Sequence, residues 1–285
     1  MDRQPQDPLV STAWLAERLD APDIRVVDAS WFMPGSERSA RKEFELAHIP
    51  GAVFFDIDEI ADTDSQLPHM LPSSVKFASR VKKLGLGDGV RIVVYDSTGA
   101  GPAARVWWMF RAMSHDDVVV LDGGLTKWIA EGRRISDRPA QPRERHFTPR
   151  LNVELVMSRR QVGEALSAGS AQVVDARAAA RFTGEAPEPR AGLKSGHMPG
   201  AKNLPFARLF SPDGLMLPAW TLENVFAEAG VDPKRPIIAS CGSGVTACLI
   251  ALALARMGHW SAAVYDGSWT EWASLPDAPI AQGEA

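Results

Sequence analysis

Cysteine is scarce in this chain, and its scarcity excludes two classes of protein. Only two cysteines occur in 285 residues, Cys241 and Cys248. Two cysteines this close together cannot form the disulfide framework of a small secreted domain, so we expect a protein of a reducing compartment, the cytoplasm. Neither cysteine has a CxxC partner or a nearby histidine pair, so we expect no metal site.

An excess of positive charge and long apolar runs are also missing. The 31 basic and 35 acidic residues leave a formal net charge of -4, whereas general binders of nucleic acid or anionic membranes need a basic surface. No apolar run reaches the roughly 18 residues of a membrane span. The first residues lack the pattern of a secretory signal or a transit peptide. We therefore expect no nucleic-acid partner and no membrane partner.

What the sequence does contain is an internal repeat. Three landmarks recur in the same order: IRVVDAS as AQVVDAR, HIPGAVFFD as HMPGAKNLPF, and VVVLDGGLTKW as AAVYDGSWTEW. Conserved order and spacing across two halves indicate a duplication. Because Asp28 and Asp175, and likewise His48 and His197, occur at matching places in both halves, we interpret them as residues that maintain the fold.

The repeat also defines the domains and the fold class. Short β-branched runs such as RIVVY and PIIAS alternate with longer segments of helical periodicity. This alternation predicts an α/β protein of two tandem domains, each a parallel sheet flanked by helices on both faces. We place the domains at residues 1–135 and 156–285, joined by a linker at 136–155 that is rich in arginine and proline.

The segment IIASCGSGVTACLI places Cys241 between a predicted strand and a predicted helix. Ligands of such sheets bind at the carboxyl ends of the strands. Glycines let loop N–H groups form a nest of positive partial charge, which favours the thiolate and prepares a nucleophile. We interpret Cys248, inside an apolar helix, as a small buried residue. In the first half Asp96 stands at the equivalent place, so sulfur chemistry is expected only in the second half.

Taken together, these segments resemble the two-domain rhodanese superfamily and, within it, the 3-mercaptopyruvate sulfurtransferases. The resemblance covers nearly the whole chain and rests on EFELAHIPGAVFFDID, HMLP, RVWWMF, ARFTGEAPEPRAGLKSGHMPGAKNLPF, CGSGVTAC and YDGSWTEW, in the family's order. It implies a catalytically silent N-terminal rhodanese-like domain and an active C-terminal one.

The resemblance also implies the remaining site residues. The family places two arginines nine positions apart before the second GHxPG segment, and Arg181 and Arg190 match them; a guanidinium fork suits a carboxylate. The family's Ser-His-Asp arrangement maps to Ser243, His69 and Asp58, where aspartate orients the imidazole and the imidazole tunes the hydroxyl. From the residues alone, two solvated arginines, a helix-capping serine, a surface histidine and an ordinary acidic residue are equally good interpretations.

The reaction implied is ping-pong transfer without metal or organic cofactor. Cys241 takes sulfur from 3-mercaptopyruvate held by Arg181 and Arg190, pyruvate leaves, and a thiol, a thioredoxin-like protein or cyanide accepts the sulfur. Backbone N–H groups of the loop would stabilise the persulfide. These loop residues are Gly242, Gly244, Val245 and Thr246.

Two alternatives remain open. Thiosulfate-using members of the superfamily carry arginine or lysine inside the loop, and CGSGVT has none, which weakens but does not remove that possibility. A persulfide carrier with little small-molecule turnover is the other. Phosphatases of related fold need arginine at the sixth position after the cysteine, where this chain has Ala247. The segment STGAGPAARVWWM departs from the family's usual SAPR before WWM, at residues 97–104.

Overall fold

A computed structural model describes residues 7–33, 35–98 and 101–284. The chain divides into two compact units. The first comprises the chain up to Asp64, Leu71–Asn152 and Asp213–Leu215; the second comprises Ser65–Met70, Val153–Pro212 and the chain from Met216 onward. The short segment Ser65–Met70, which contains His69, thus belongs to the second unit.

The first unit contains a five-stranded parallel sheet in the order β1-β5-β4-β2-β3. Its strands are β1 (Leu9–Val10), β2 (Ile24–Asp28), β3 (Val53–Phe54), β4 (Arg91–Tyr95) and β5 (Val118–Leu121). Its helices are α1 (Thr12–Ala16), α2 (Ala40–Leu46), α3 (Ile57–Ile60), α4 (Ser74–Lys83), α5 (Gly101–Ala112) and α6 (Gly124–Ala130).

The second unit repeats this order as β6-β10-β9-β7-β8, again all parallel. Its strands are β6 (Val156–Met157), β7 (Gln172–Asp175), β8 (Lys202–Asn203), β9 (Ile237–Ser240) and β10 (Ala263–Tyr265). Its helices are α7 (Arg159–Ala168), α8 (Ala179–Thr183), α9 (Ala219–Glu228), α10 (Ala247–Arg256) and α11 (Ser268–Ser274), with 3-10 turns at Val153–Leu155 and Phe206–Leu209. The predicted α/β class with two parallel sheets is confirmed.

The central strands are buried along their length, which explains their unbroken β-branched runs. All four residues of β9 and four of the five residues of β4 are buried. The helices that follow them, α5 and α10, bury ten of twelve and nine of ten residues, so both are core helices rather than amphipathic surface helices. Within the described part of the chain, no helix combines the length and hydropathy needed to cross a membrane.

The two repeated histidines occupy equivalent structural positions. His48 Nδ1 lies 2.6 Å from the Phe44 carbonyl and its ring stacks on Phe44 at 4.2 Å between centroids. His197 Nδ1 lies 2.9 Å from the Phe182 carbonyl and its ring stacks on Phe182 at 3.9 Å. The backbone of each histidine also exchanges two N–H···O hydrogen bonds with a residue near the end of its own half, His48 with Ser136 and His197 with Ala281. These contacts give the histidines a structural role, as the repeat indicated.

Residues 141–148 of the predicted linker pack closely on the first unit. Asp88 N–H donates to the His146 carbonyl at 2.9 Å, and Thr148 donates from both N–H and hydroxyl to the Asp88 carboxylate. Glycine is required at Gly87, since a Cβ there would lie 2.1 Å from the His146 oxygen. The proline- and arginine-rich stretch is therefore an ordered part of the first unit's surface.

Candidate active site

Cys241 lies directly after β9, at the carboxyl end of a central strand. The strand register pairs Asp175 with Ser240, and in the first unit it pairs Asp28 with Tyr95. Cys241 and Asp96, the next residues along the two strands, are therefore structural equivalents. Cys241 is almost fully buried, with 2% of its surface exposed.

The start of α11 holds the cysteine peptide in place. Cys241 N–H donates to the Ser268 hydroxyl at 3.2 Å, and this hydroxyl donates to the Tyr265 carbonyl at 2.8 Å. Trp269 N–H donates to the Cys241 carbonyl at 3.0 Å. Thr270 donates to the Gly242 carbonyl from its N–H at 2.9 Å and its hydroxyl at 2.6 Å. Sequence reasoning missed this support, although the repeated DGSWTEW motif was its signal.

The loop beyond Cys241 leaves several backbone donors available. Gly244 has a φ of +78°, a left-handed conformation that favours glycine, and its carbonyl accepts from the Cys248 thiol at 3.2 Å. Ser243 is buried, with 8% of its surface exposed. Within the described residues, four backbone N–H groups of this loop donate to no protein acceptor. These are the N–H groups of Gly242, Ser243, Val245 and Thr246.

A buried ion network lies beside this loop. Arg177, two residues after β7, donates to the Asp175 carboxylate from Nε and Nη2, the shorter contact being 2.6 Å. Its Nη1 donates to Glu188 at 2.8 Å, and its guanidinium lies 4.3 Å from the ring of Trp269. Burial disfavours this positive charge, but the two carboxylates outweigh burial and raise the pKa of Arg177 above its ordinary value.

Arg181 shares Glu188 with Arg177. Its Nε and Nη2 donate to the two Glu188 oxygens at 3.1 and 2.5 Å, a two-pronged pair. The Glu188 side chain is 2% exposed and that of Arg181 is 24% exposed. Arg181 Nη2 lies 3.1 Å from the point that a Cβ on Gly242 would occupy, so the guanidinium borders the cysteine loop. Neither Arg177 nor Glu188 was among the residues singled out from the sequence.

The structure brings Arg190 and His69 together within the second unit. Arg190 Nη2 lies 3.4 Å from His69 Nε2, and the arginine donates when that ring nitrogen is unprotonated. His69 is 6% exposed and has a φ of +62°, in the left-handed region that non-glycine residues seldom adopt. Unusual backbone at a buried titratable residue is typical of functional sites.

Asp58 lies in the first unit, near the start of α3. Trp31 Nε1 donates to its carboxylate at 2.8 Å, and the neighbouring Asp56 caps the helix by accepting from the Asp58 and Glu59 N–H groups. Asp58 and His69 therefore belong to different units, and the Ser243, His69 and Asp58 arrangement stays a prediction.

At the equivalent site of the first unit, a carboxylate replaces the thiol. Asp96 is fully buried, and its oxygens accept from the Thr98 N–H and hydroxyl, both at 2.8 Å, and from the Ala103 N–H at 2.9 Å. The N–H groups of Thr98 and Ala103 thus already donate to a side chain, the carboxylate of Asp96. The departure from the family at 97–104 includes residues 99 and 100, which lie outside the described residues.

Comparison with known proteins agrees with this geometry. The rhodanese-like domain family matches residues 11–131 and 158–275, so both halves match separately. The chain belongs to the rhodanese family.

Its relatives include sulfurtransferases with two different named donors. The 3-mercaptopyruvate sulfurtransferase of Homo sapiens is 42% identical over 283 residues, covering 96% of this chain and 95% of the relative. The thiosulfate sulfurtransferase of Rattus norvegicus is 44% identical over 286 residues, covering 97% and 96%. Among solved structures, the 3-mercaptopyruvate enzyme SseA of Escherichia coli has a TM-score of 0.85 and 39% identity, covering 93% of this chain and 99% of SseA.

Proposed function

We propose that the protein is a sulfurtransferase that moves sulfur from 3-mercaptopyruvate to a thiol or cyanide acceptor through a persulfide on Cys241. The observation that carries this proposal is the loop after β9. There a buried cysteine is followed by four backbone N–H groups that have no acceptor among residues 7–33, 35–98 and 101–284. Donors of this kind stabilise an anionic sulfur without any side-chain cation. The full-length relatives named for 3-mercaptopyruvate support the same donor.

The first half-reaction breaks a carbon–sulfur bond. The Cys241 thiolate attacks the donor sulfur, a sulfur–sulfur bond forms, and the electron pair of the broken bond passes to the carbon as the enolate of pyruvate. One proton converts this enolate to pyruvate, and we assign its delivery to the Ser243 hydroxyl, tuned by His69 with Asp58 as its predicted partner. The donor sulfur remains on Cys241 as the persulfide.

The donor's carboxylate and keto oxygen need cationic partners, and Arg181 and Arg190 are proposed for them. Arg181 already uses Nε and one Nη2 hydrogen on Glu188. A guanidinium has five N–H donors, so three remain for the donor. Arg181 is therefore proposed to contribute its remaining N–H groups, and Arg190, whose Nη2 lies 3.4 Å from His69 Nε2, is proposed as the second cationic partner.

The second half-reaction regenerates the thiolate. A small thiol, the thiol of a thioredoxin-like protein or cyanide attacks the outer sulfur, and Cys241 leaves as thiolate. Both cysteines are free thiols. A reducing compartment, the cytoplasm, is proposed as the setting because it keeps them so.

Thiosulfate is the second candidate donor, favoured by the relatives named thiosulfate sulfurtransferase. The chemistry of the loop disfavours it. Thiosulfate is a dianion, CGSGVT holds no cation, and Arg181 is paired with a carboxylate. Values of kcat/KM for the two donors, measured on one preparation, decide between them.

The test of the proposal is turnover with 3-mercaptopyruvate and a dithiol, measured as pyruvate and sulfide, together with the mass of the donor-treated protein. We expect a gain of about 32 Da on Cys241, the mark of a persulfide. Cys241→Ser should abolish turnover and the mass gain. Cys248→Ser is the matched control, since a serine hydroxyl can still donate to the Gly244 carbonyl, and it should keep most of the activity.

Two results would overturn the assignment. Full turnover by Cys241→Ser would remove the cysteine from the mechanism. Loading of Cys241 by a cysteine desulfurase, without pyruvate release from 3-mercaptopyruvate, would instead identify a persulfide carrier.

A further inference from the structure

In the part of the chain that the structure describes, the buried ion network of the second half has no counterpart in the first half. In the first unit Asp28 ends β2 as Asp175 ends β7, but the residue two positions later is Ser30 rather than arginine. Ser30 N–H donates to Asp28 at 2.8 Å, just as Arg177 N–H donates to Asp175 at 2.9 Å. The turn after the strand thus forms without a guanidinium.

Stability does not explain the network. Taking charges out of water costs several kcal/mol per ion before pairing offsets it. Side-chain exposures of 0% for Asp175, 1% for Arg177 and 2% for Glu188 leave little water contact. Since the first half folds the same turn without the arginine, the added charges call for a role at the cysteine loop.

The network is electrically neutral where the donor has to bind. Two carboxylates, Asp175 and Glu188, face two guanidiniums, Arg177 and Arg181. Arg181 is the member that borders Gly242, and both Glu188 oxygens accept from it. Glu188 therefore offsets the charge of a cation that borders the loop while still holding it in place.

We propose that Glu188 is a specificity-determining residue that sets the donor charge which the Cys241 loop accepts. By pairing with Arg181 it adapts the site to a singly charged carboxylate donor and disfavours a doubly charged one. The inference rests on the proposed function. It adds that the preference against thiosulfate is set at position 188 as well as by the cation-free CGSGVT loop.

The expected size follows from charge alone. Replacing Glu188 by glutamine keeps the shape and one acceptor oxygen and removes one negative charge near the loop. Every anion then gains attraction, and a dianion gains twice as much as a monoanion. The ratio of kcat/KM for thiosulfate over 3-mercaptopyruvate should rise on the order of tenfold in Glu188→Gln.

The matched control is Glu228→Gln. Glu228 also forms an ion pair in the same unit, with 2.5 Å between its Oε2 and Arg208 Nη2, but its side chain is 67% exposed. The substitution is chemically identical, and the donor ratio should change less than twofold. Arg181→Met, at a partly exposed position, removes the cation instead. Because Arg181 is also proposed to bind 3-mercaptopyruvate, this variant is assessed only by the iodoacetate-to-iodoacetamide alkylation ratio at Cys241, which should fall.

A second readout needs no sulfur donor. Iodoacetate and iodoacetamide alkylate the same thiol, and only iodoacetate is charged. The ratio of their rates on Cys241, assigned by peptide mass, reports the electrostatic potential at the sulfur. Glu188→Gln should raise the iodoacetate-to-iodoacetamide ratio several-fold, and Glu228→Gln should leave it unchanged.

These outcomes separate the inference from the function beneath it. If wild type turns over neither donor, the proposed function fails, yet the alkylation ratio still tests the charge of the loop. If Glu188→Gln is folded, with a wild-type melting curve, and both ratios are unchanged, the inference is overturned. If Glu188→Gln does not fold, Arg181→Met decides through the alkylation ratio, and an unchanged iodoacetate-to-iodoacetamide ratio in that variant overturns the inference, because the Arg181–Glu188 pair would then not set the potential at the sulfur.

Discussion

Ser268 combines an unfavourable backbone conformation with a hydrogen bond to Cys241, the proposed nucleophile. Its φ is +49°, and the equivalent residue of the first unit is Gly124, with a φ of +55°. A left-handed conformation costs a non-glycine residue about 1–2 kcal/mol. The first half avoids this cost with glycine. The cysteine half keeps a fully buried serine, whose hydroxyl accepts the Cys241 N–H.

Two substitutions separate the strain from the hydrogen bond. Ser268→Ala keeps the strain and leaves the buried Cys241 N–H without its acceptor, which costs about 1–3 kcal/mol. Ser268→Gly loses the same hydrogen bond but relieves the backbone. We expect the glycine variant to be about 1 kcal/mol more stable than the alanine variant, after allowing for the extra chain entropy of glycine.

Activity should respond differently from stability. Both variants lose the contact that positions the Cys241 peptide, so both should slow turnover by roughly tenfold, because small misplacements of a nucleophile are costly. The measurements are urea unfolding followed by tryptophan fluorescence, and the rates of Cys241 alkylation and pyruvate release. Gly124→Ala serves as the control, with lower stability from strain and an unchanged alkylation rate.

Two results would refute this reasoning. Equal stability of the alanine and glycine variants would mean that the backbone at Ser268 is not strained. A wild-type rate in Ser268→Gly would mean that the hydroxyl does not position the cysteine.

Two further predictions concern the fold residues. Burial is the largest influence on Asp28 and raises the pKa of its carboxyl. An acid with a raised folded-state pKa contributes stability below its unfolded-state pKa and loses it as pH rises through the folded-state pKa. Urea titrations should therefore show Asp28→Asn gaining stability relative to wild type as the pH rises above about 4, the ordinary range of an unfolded aspartate, and a pH-independent difference would contradict the pKa direction. His197→Ala should destabilise the second unit by about 2–3 kcal/mol, because it removes the stack on Phe182 and the contact with its carbonyl. His48→Ala should destabilise the first unit in the same way. Thermal melts measure both effects, and alkylation rates test whether His48→Ala leaves Cys241 unaffected.

Much of the fold was predictable because its signals are local. The β-branched runs before Asp96 and Cys241 gave two central strands, and the repeat gave their equivalence, which the strand registers confirm. The position of Cys241 at a strand end followed from the same pattern. The structural roles of His48 and His197 were also predictable, since a residue that recurs in both halves serves what both halves share.

The candidate site was less accessible, because its contacts join residues far apart along the chain. Nothing in ARFTGEAPEPR says which arginine pairs with Glu188, or that Arg177 shares the same carboxylate. The relative positions of the loops after β7 decide which arginine pairs with Glu188, and these positions are set only in the folded protein. Arg190 and His69 meet across 121 positions of sequence.

The amino-acid sequence by itself determined the duplication, the parallel α/β units and the cysteine at the end of β9, since periodicity and repetition are properties of neighbouring residues. Tertiary structure alone decided that Ser268 accepts the Cys241 N–H and that Glu188 neutralises Arg181 beside Gly242. Hydrogen bonds and ion pairs depend on distances of about 3 Å between side chains, and such distances are set only when separate strands and loops have packed together.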